Sequence, residues 1–341
     1  MASWCRHHSR PCAFLPAVVV AKPSCPSFKG ADGSCRLYEE ELMRTLMILG
    51  LAALASCGAK IPEIDTPTPV LPNAEAPTVF TRSYSLTESL DGSIRVFAKE
   101  ARDSTFLYEM RKQDDGTWSD PAKLDFPTMV KLTTPSFSHA DGMLYYASDA
   151  DILERGQRDA NIWRVAPTED GWDEPQPLPA SVNTGAAQLN PAMDREGRLY
   201  FTDNGYDSAG GHDIFEAALD EQSGEWTVSA MPDGFNTFRS EAHIAVTPDG
   251  NRIFFYSPRV PKLGSVDIWT AERGADGTWQ APQNLGEPVN TPGIDFGAGM
   301  SGDGSILFFS RDGELMMISL NAALAGLGSV DEETVSDTEA G

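Results

Sequence analysis

The side chains best able to do acid/base chemistry fall at one recurring position in the chain. Five acidic-glycine pairs, Asp91-Gly92, Asp141-Gly142, Glu196-Gly197, Asp249-Gly250 and Asp303-Gly304, follow one another at intervals of 50, 55, 53 and 54 residues. Nine residues before each glycine stand Ser83, Thr133, Gln188, Glu241 and Asp295, and two residues further on stand Ser85, Pro135, Asn190, His243 and Gly297. If each stretch is a strand, strict alternation puts both sets on one face. Gln188, Asn190, Glu241, His243 and Asp295 would then gather as a polar cluster, with Arg239 close by. Such a cluster could bind a polar ligand or supply an acid/base pair, Glu241 with His243. Two carboxylates such as Glu241 and Asp295, about 5 to 9 Å apart, would suit glycoside hydrolysis. The competing reading is that these residues hydrogen-bond neighbouring loops and trapped water, as buried polar groups must.

Other chemistries lack their residues. His139, His212 and His243 occupy different repeat positions, so no multi-histidine metal site is expected. Cys5, Cys12, Cys25 and Cys35, with His7 and His8, lack the paired short spacings of a zinc site. The chain has no Gly-x-Ser-x-Gly nucleophile elbow. The acidic, glycine-rich loop from Asp203 to Asp213 lacks EF-hand spacing and reads as a solvated turn. No metal and no cofactor are expected.

The elements that must position the cluster repeat with the same period. Trp118, Trp172, Trp226 and Trp279 are 54, 54 and 53 apart, and three of them open a Trp-x-x-Pro-x-x-Leu segment, at 118–124, 172–178 and 279–285. Asn-Thr recurs at 183–184, 236–237 and 290–291. Each unit reads as four short strands: in the fourth they cover 241–247, 252–257, 266–272 and 278–285. The acidic-Gly pair makes the turn between the first two strands, the second of which is apolar in every copy. The tryptophans read as blade packing. Asp213 and Asp267, which follow the period, read as residues bonding local backbone. Four antiparallel strands per period of about fifty residues is the signature of a β-propeller blade. The fold expected is all-β, with five blades over residues 79–325. The fifth unit lacks a fourth strand of its own, so a segment from about Pro69 to Val79 should supply it and close the ring. Six blades are the alternative, although residues 59–82 are too few to build one.

Thr247-Pro-Asp-Gly-Asn-Arg-Ile-Phe-Phe-Tyr-Ser257, Val266-Asp-Ile-Trp269, Asp213-Ile-Phe215 and Asn161-Ile-Trp163 resemble the WD40-like repeats of TolB-type periplasmic propellers. The resemblance covers about residues 80–320. It implies the propeller fold and leaves function open, because fold does not dictate activity.

The first part of the chain bears on location. Residues 43–57 carry one basic residue, an apolar run of signal-peptide length and small residues ending at Cys57. Leu54-Ala-Ser-Cys57 resembles the lipobox of bacterial lipoproteins, which implies a signal peptide at 43–56 and lipidation of Cys57. Residues 1–42 then read as an over-extended start. By resemblance to lipoprotein sorting in diderm bacteria, Gly58 implies the outer membrane, with the protein facing the periplasm. Residues 57–78, with Pro62, Pro67, Pro69, Pro72 and Pro77, read as a tether, and residues 326–341 as an acidic, flexible tail.

Charge narrows the partners. The 341 residues include 26 Lys and Arg against 50 Asp and Glu, a net charge of −24. Loss of residues 1–56 removes six basic and four acidic side chains and moves it to −26. Such a body repels nucleic acid and anionic lipid, so membrane contact is expected through the lipid alone. The function expected is a lipid-anchored binding or scaffold module for a protein or cell-envelope component. A glycan-active hydrolase with carboxylates in the central channel is the alternative.

Overall fold

In the computed structural model, the residues described are 64–71, 81–102, 104–126, 131–151, 159–205, 208–220 and 222–330. The expected over-extended start, the signal segment 43–56, Cys57 and residues 331–341 of the expected tail lie outside them. Everything described belongs to the unit Pro62–Gly341.

Among the described residues, twenty strands run from β1 (Thr68–Pro69) to β20 (Glu314–Ser319), followed by a short helix, α1 (Leu320–Leu324). Blade 1 is β2 (Ser83–Glu88), β3 (Ile94–Ala101), β4 (Ser104–Arg111) and β5 (Ala122–Lys123). Blade 2 is β6 (Leu132–Phe137), β7 (Leu144–Ser148), β8 (Asn161–Val165) and β9 (Gln176–Pro177). Blade 3 is β10 (Gln188–Met193), β11 (Leu199–Asp203), β12 (Asp213–Asp220) and β13 (Glu225–Ala230). Blade 4 is β14 (Ala242–Val246), β15 (Arg252–Ser257), β16 (Asp267–Glu272) and β17 (Gln283–Asn284). Blade 5 is β18 (Asp295–Met300), β19 (Ile306–Arg311), β20 and, as its outermost strand, β1. The innermost strands β2, β6, β10, β14 and β18 each touch the next, and β18 returns to β2. The molecule is a five-bladed β-propeller.

The second strand of each blade has no polar alternation because both of its faces are buried. In β3, Val96 and Ala98 pack toward blade 2 while Phe97 packs toward blade 5. In β15, Ile253 and Phe255 face blade 3 while Phe254 faces blade 5. Five apolar clusters fill the five seams in this way, and each fully buried Phe or Leu contributes on the order of 2 kcal/mol. The turn glycines Gly92, Gly142, Gly197, Gly250 and Gly304 all have φ between 68° and 81°, a conformation that other residues reach only with strain. The leucine ending each Trp-x-x-Pro-x-x-Leu segment holds the outer strand in place: Leu124, Leu178 and Leu285 are buried and donate N–H to Leu107, Ile162 and Ile268. The tryptophans pack as well: Trp172 stacks near Phe137, and Trp279 meets Tyr200 and Phe235 edge-on.

An N-terminal strand closes the ring on blade 5, but it is the short Thr68–Pro69, and residues 72–79 of the segment expected to supply it lie outside the described residues. Thr68 pairs with Met317 and Pro69 with Met316, and Val70 N–H donates to Leu315 O. Ser319 N–H donates to Ile64 O, and Ile64, Val70 and Leu71 cover the seam between blades 5 and 1. Residues 64–71, within the stretch read as tether, are therefore part of the propeller. At the other end, the Ser319 side chain caps α1, and Leu324 and Leu327 pack on the seam between blades 4 and 5. The first residues of the stretch read as a flexible tail are thus packed.

Candidate functional site

Gln188, Glu241 and Asp295 do occupy one repeat position, at the start of the inner strands of blades 3, 4 and 5, and all three are fully buried. Each closes the connection that enters its blade. Thr237 donates to Glu241 from its backbone N–H (2.9 Å) and from its hydroxyl (2.9 Å). Thr291 donates to Asp295 from the same two groups, each at 2.7 Å. Thr184 N–H donates to Gln188 Oε1 (3.1 Å), while Gln188 Nε2 donates to Thr184 Oγ1 (2.7 Å). The asparagine before each threonine reaches back to the third strand of the preceding blade. Asn183, Asn236 and Asn290 each accept from and donate to one residue there, Ile162, Ile214 and Ile268 respectively. The Asn-Thr repeat is therefore a clip between blades, with the residue four positions after the threonine as its acceptor.

Two arginines, whose positions do not repeat in the sequence, complete the clips. Asp295 accepts from Arg311 Nε at 3.1 Å, and Arg311 also donates to the carbonyls of Pro288 and Val289 in the entering connection. Glu241 lies 3.2 Å from Arg259 Nη2 and accepts from the Ser257 hydroxyl at 2.8 Å. Arg259 also donates to Gly234 O and Phe235 O. In blade 3, the cross-strand partner is Asp203, which accepts from Gln188 Nε2. Burial pushes Asp295 above the usual aspartate range, and the Thr291 hydrogen bonds and Arg311 pull it partly back. A carboxylate enclosed in this way has its lone pairs committed to turn amides, hydroxyls and a guanidinium, and it survives burial because it is so paired.

The second set of residues lies on a β-bulge. In every inner strand the register slips by one residue, between Tyr84 and Thr87, Thr133 and Ser136, Leu189 and Ala192, Ala242 and Ala245, and Phe296 and Gly299. At the slip stand Ser85, Thr134, Asn190 and His243, with φ of 51°, 47°, 56° and 51°, and Gly297 at 68°. Because the strained conformation recurs in all five blades, it belongs to the architecture and not to one reactive centre. Blade 2 carries Thr134 where counting from the glycine gave Pro135, and Leu132 where it gave Thr133. The hairpins of blades 1 and 2 are equally long, but Gly142 sits one position later in its turn, its N–H donating to Ser138 O four residues back where Gly92 donates to Ser89 O three back, and a count from the glycine carries that shift into the strand.

The bulges bring Ser85 and His243 together from non-adjacent blades, Oγ to Nδ1 at 3.1 Å. Tyr84, Tyr256 and Phe296 wall the imidazole, with ring centroids 5.2 to 5.3 Å away. Burial, aided by the charge of Arg82, pushes the His243 pKa down to about 3. The ring therefore stays neutral and is too weak a base near neutral pH to draw the Ser85 proton. Gly297 makes room for the cluster: a Cβ there would lie 2.9 Å from Tyr84 Cβ. Asn190 accepts nothing at Oδ1 from the described residues, while its N–H donates to Thr134 Oγ1 and its Nδ2 to Thr202 Oγ1.

The rest of the expected cluster does not converge. Arg239 is exposed, over the ring of Phe238, and no hydrogen bond joins Glu241 to His243 among the described residues. Asp267 accepts from Leu263 N–H, Gly264 N–H and Asn284, and Asp213 accepts from Ala209 N–H, so both brace local loops. Arg259, Arg311, Tyr84, Tyr256 and Phe296 carry much of this geometry without a repeat signal in the sequence.

No protein-family profile and no curated protein matches the chain. Solved structures do. TolB from Acinetobacter baumannii is 14% identical with a TM-score of 0.41, over 70% of this chain and 54% of TolB. An α-L-arabinofuranosidase from Lactobacillus brevis is 12% identical with a TM-score of 0.45, over 70% of this chain and 91% of its own. A thermostable family-43 glycoside hydrolase is 12% identical with a TM-score of 0.45, over 70% and 89%. The likeness is one of fold. The chain spans about half the length of TolB.

Proposed function

We propose that the protein is a non-catalytic binding module, anchored through Cys57 to the outer membrane and presenting its propeller to a protein or cell-envelope component in the periplasm. The observation that supports this reading is the commitment of Gln188, Glu241 and Asp295 to the interblade clips. A hydrolase needs one carboxyl group free to protonate a leaving group and another free to attack or to activate water. Here both candidate carboxylates are closed off by turn amides and arginines. The aromatic enclosure of His243 points the same way, since Tyr84, Tyr256 and Phe296 pack against the ring that would have to act as the base.

The test pairs capture with turnover. The acylated protein, recovered from envelopes at low and high salt, should bring down a partner that salt releases, given the charge of the bait. The same preparation, incubated with purified cell-wall glycan, should release no reducing ends. Glycan turnover that disappears in a folded Glu241→Gln variant would replace this reading with the hydrolase.

A further inference from the structure

The outer edges of the blades are not alike. In blades 1, 2, 4 and 5 the outermost strand is two residues long and contains or closely follows a proline: β5 follows Pro121, β9 includes Pro177, β17 follows Pro282 and β1 includes Pro69. Short strands and prolines are how sheets keep other chains from pairing with them. Blade 3 has neither device. Its outer strand β13 runs six residues, Glu-Trp-Thr-Val-Ser-Ala, with five of the six exposed. Its register with β12 is unbroken from Asp220–Glu225 to Phe215–Ala230.

The direction of its free amides follows from one bond. Met231 N–H donates to Ile214 O, toward β12. By alternation the N–H groups of Ser229 and Thr227 also point to β12, and those of Ala230, Val228 and Trp226 point away from the blade. Beside this row lies a groove of about 760 Å³, lined by Val228 and Ala230 together with Val182, Phe201, Phe215 and Asp203. The hairpin itself is acidic, and one of its carboxylates, Glu216, is approached by Arg273 of blade 4 at 3.9 Å. Residues 199–238 contain eight Asp or Glu and no Lys or Arg.

We propose that the open edge of β13 receives an extended, basic segment of a partner protein as a fifth strand of blade 3. Main-chain pairing supplies the attachment, alternate apolar side chains enter the groove beside Val228, and lysines or arginines between them meet the acidic surroundings. A second copy of this chain is the poorer occupant, because it would bring the same acidic hairpin against itself. The proposal rests on reading the chain as a binding module and assigns that module a site.

The probe is a fluorescein-labelled decapeptide alternating lysine and valine, followed by anisotropy against the full chain. It should bind, weaken as salt rises, and bind at least about tenfold more weakly to Val228→Pro, which removes an outward N–H without touching the ladder to β12. Val228→Lys, a substitution at an exposed position that leaves the backbone intact, should weaken binding in the same direction. The peptide methylated on alternate backbone nitrogens and the glutamate-valine peptide should not bind. Equal binding of the methylated peptide, or of both Val228 variants, would overturn strand addition. A dimer in sedimentation that Val228→Pro dissolves would overturn the choice of occupant. If envelope capture succeeds while the peptide does not bind, the binding-module reading stands and this site falls.

Discussion

At the scale of single residues, the propeller axis is held by a histidine kept neutral. His243 is pushed down to about 3, and His139, buried at the seam of blades 2 and 3 near Arg195, to about 4. In the unfolded chain each would protonate near 6.5. Above that pH both states are neutral and these residues add no pH dependence. As pH falls below 6.5 the unfolded state takes up protons that the folded state refuses, so stability declines toward pH 3 to 4. Between pH 7.5 and 5.0 each histidine should cost about 2 kcal/mol. Urea melts at the two pH values should show the drop, and His243→Gln should shrink it by about that amount. An unchanged drop in the variant would mean that His243 is not held neutral.

At the scale of elements, the inner strand of blade 5 is built to approach a backbone. Its sequence, Asp-Phe-Gly-Ala-Gly-Met, sets Gly299 so close to blade 1 that a Cβ would lie 1.8 Å from Leu86 O, and a Cβ on Gly302 would lie 2.0 Å from Ser89 O. Neither contact can be relieved by turning a side chain, because the obstacle is main chain. Gly299→Ala should therefore push β18 from β2 and cost about 1 to 3 kcal/mol or more. Gly116→Ala, where no atom lies within 4 Å, provides the control: it pays only for its positive φ. Chemical denaturation of the two variants gives the comparison, and equal losses would show that the seam tolerates a methyl group.

At the scale of the whole molecule, stability depends on closing the ring. Residues 64–71 carry the outer strand of blade 5 and shield the apolar seam of blades 5 and 1. A chain lacking residues 64–71 should bare the edge of β20 with Leu315 and Met317. It should melt several degrees lower, on the order of 2 to 4 °C for each kcal/mol lost in a domain of this size, and aggregate on heating. Melting by circular dichroism and light scattering measure both effects. A deletion variant that melts with the intact protein would show that β1 is ornament to a ring closed by the inner strands alone.

Much of this molecule is legible in its sequence because propeller blades repeat. A turn that needs a left-handed glycine and an apolar second strand buried on both faces must recur wherever a blade recurs, and a tryptophan recurs in four of the units, so their spacing yields five blades and their strands. The same repetition located Gln188, Glu241 and Asp295 but not their role, since a carboxylate closing a turn and a carboxylate facing substrate look alike in one dimension. The bulge broke the alternation that was used to place Asn190 and His243, and Arg259 and Arg311 sit outside the period because each reaches its carboxylate by its own path. The meeting of Ser85 with His243, 158 residues apart, and the exposed length of β13 depend on how the blades are set around the axis. Local pattern is fixed by hydrogen bonding and burial along a few residues and can be read from them. Which polar groups are consumed in holding the ring, and which edge remains open, are decided only when the five blades come together.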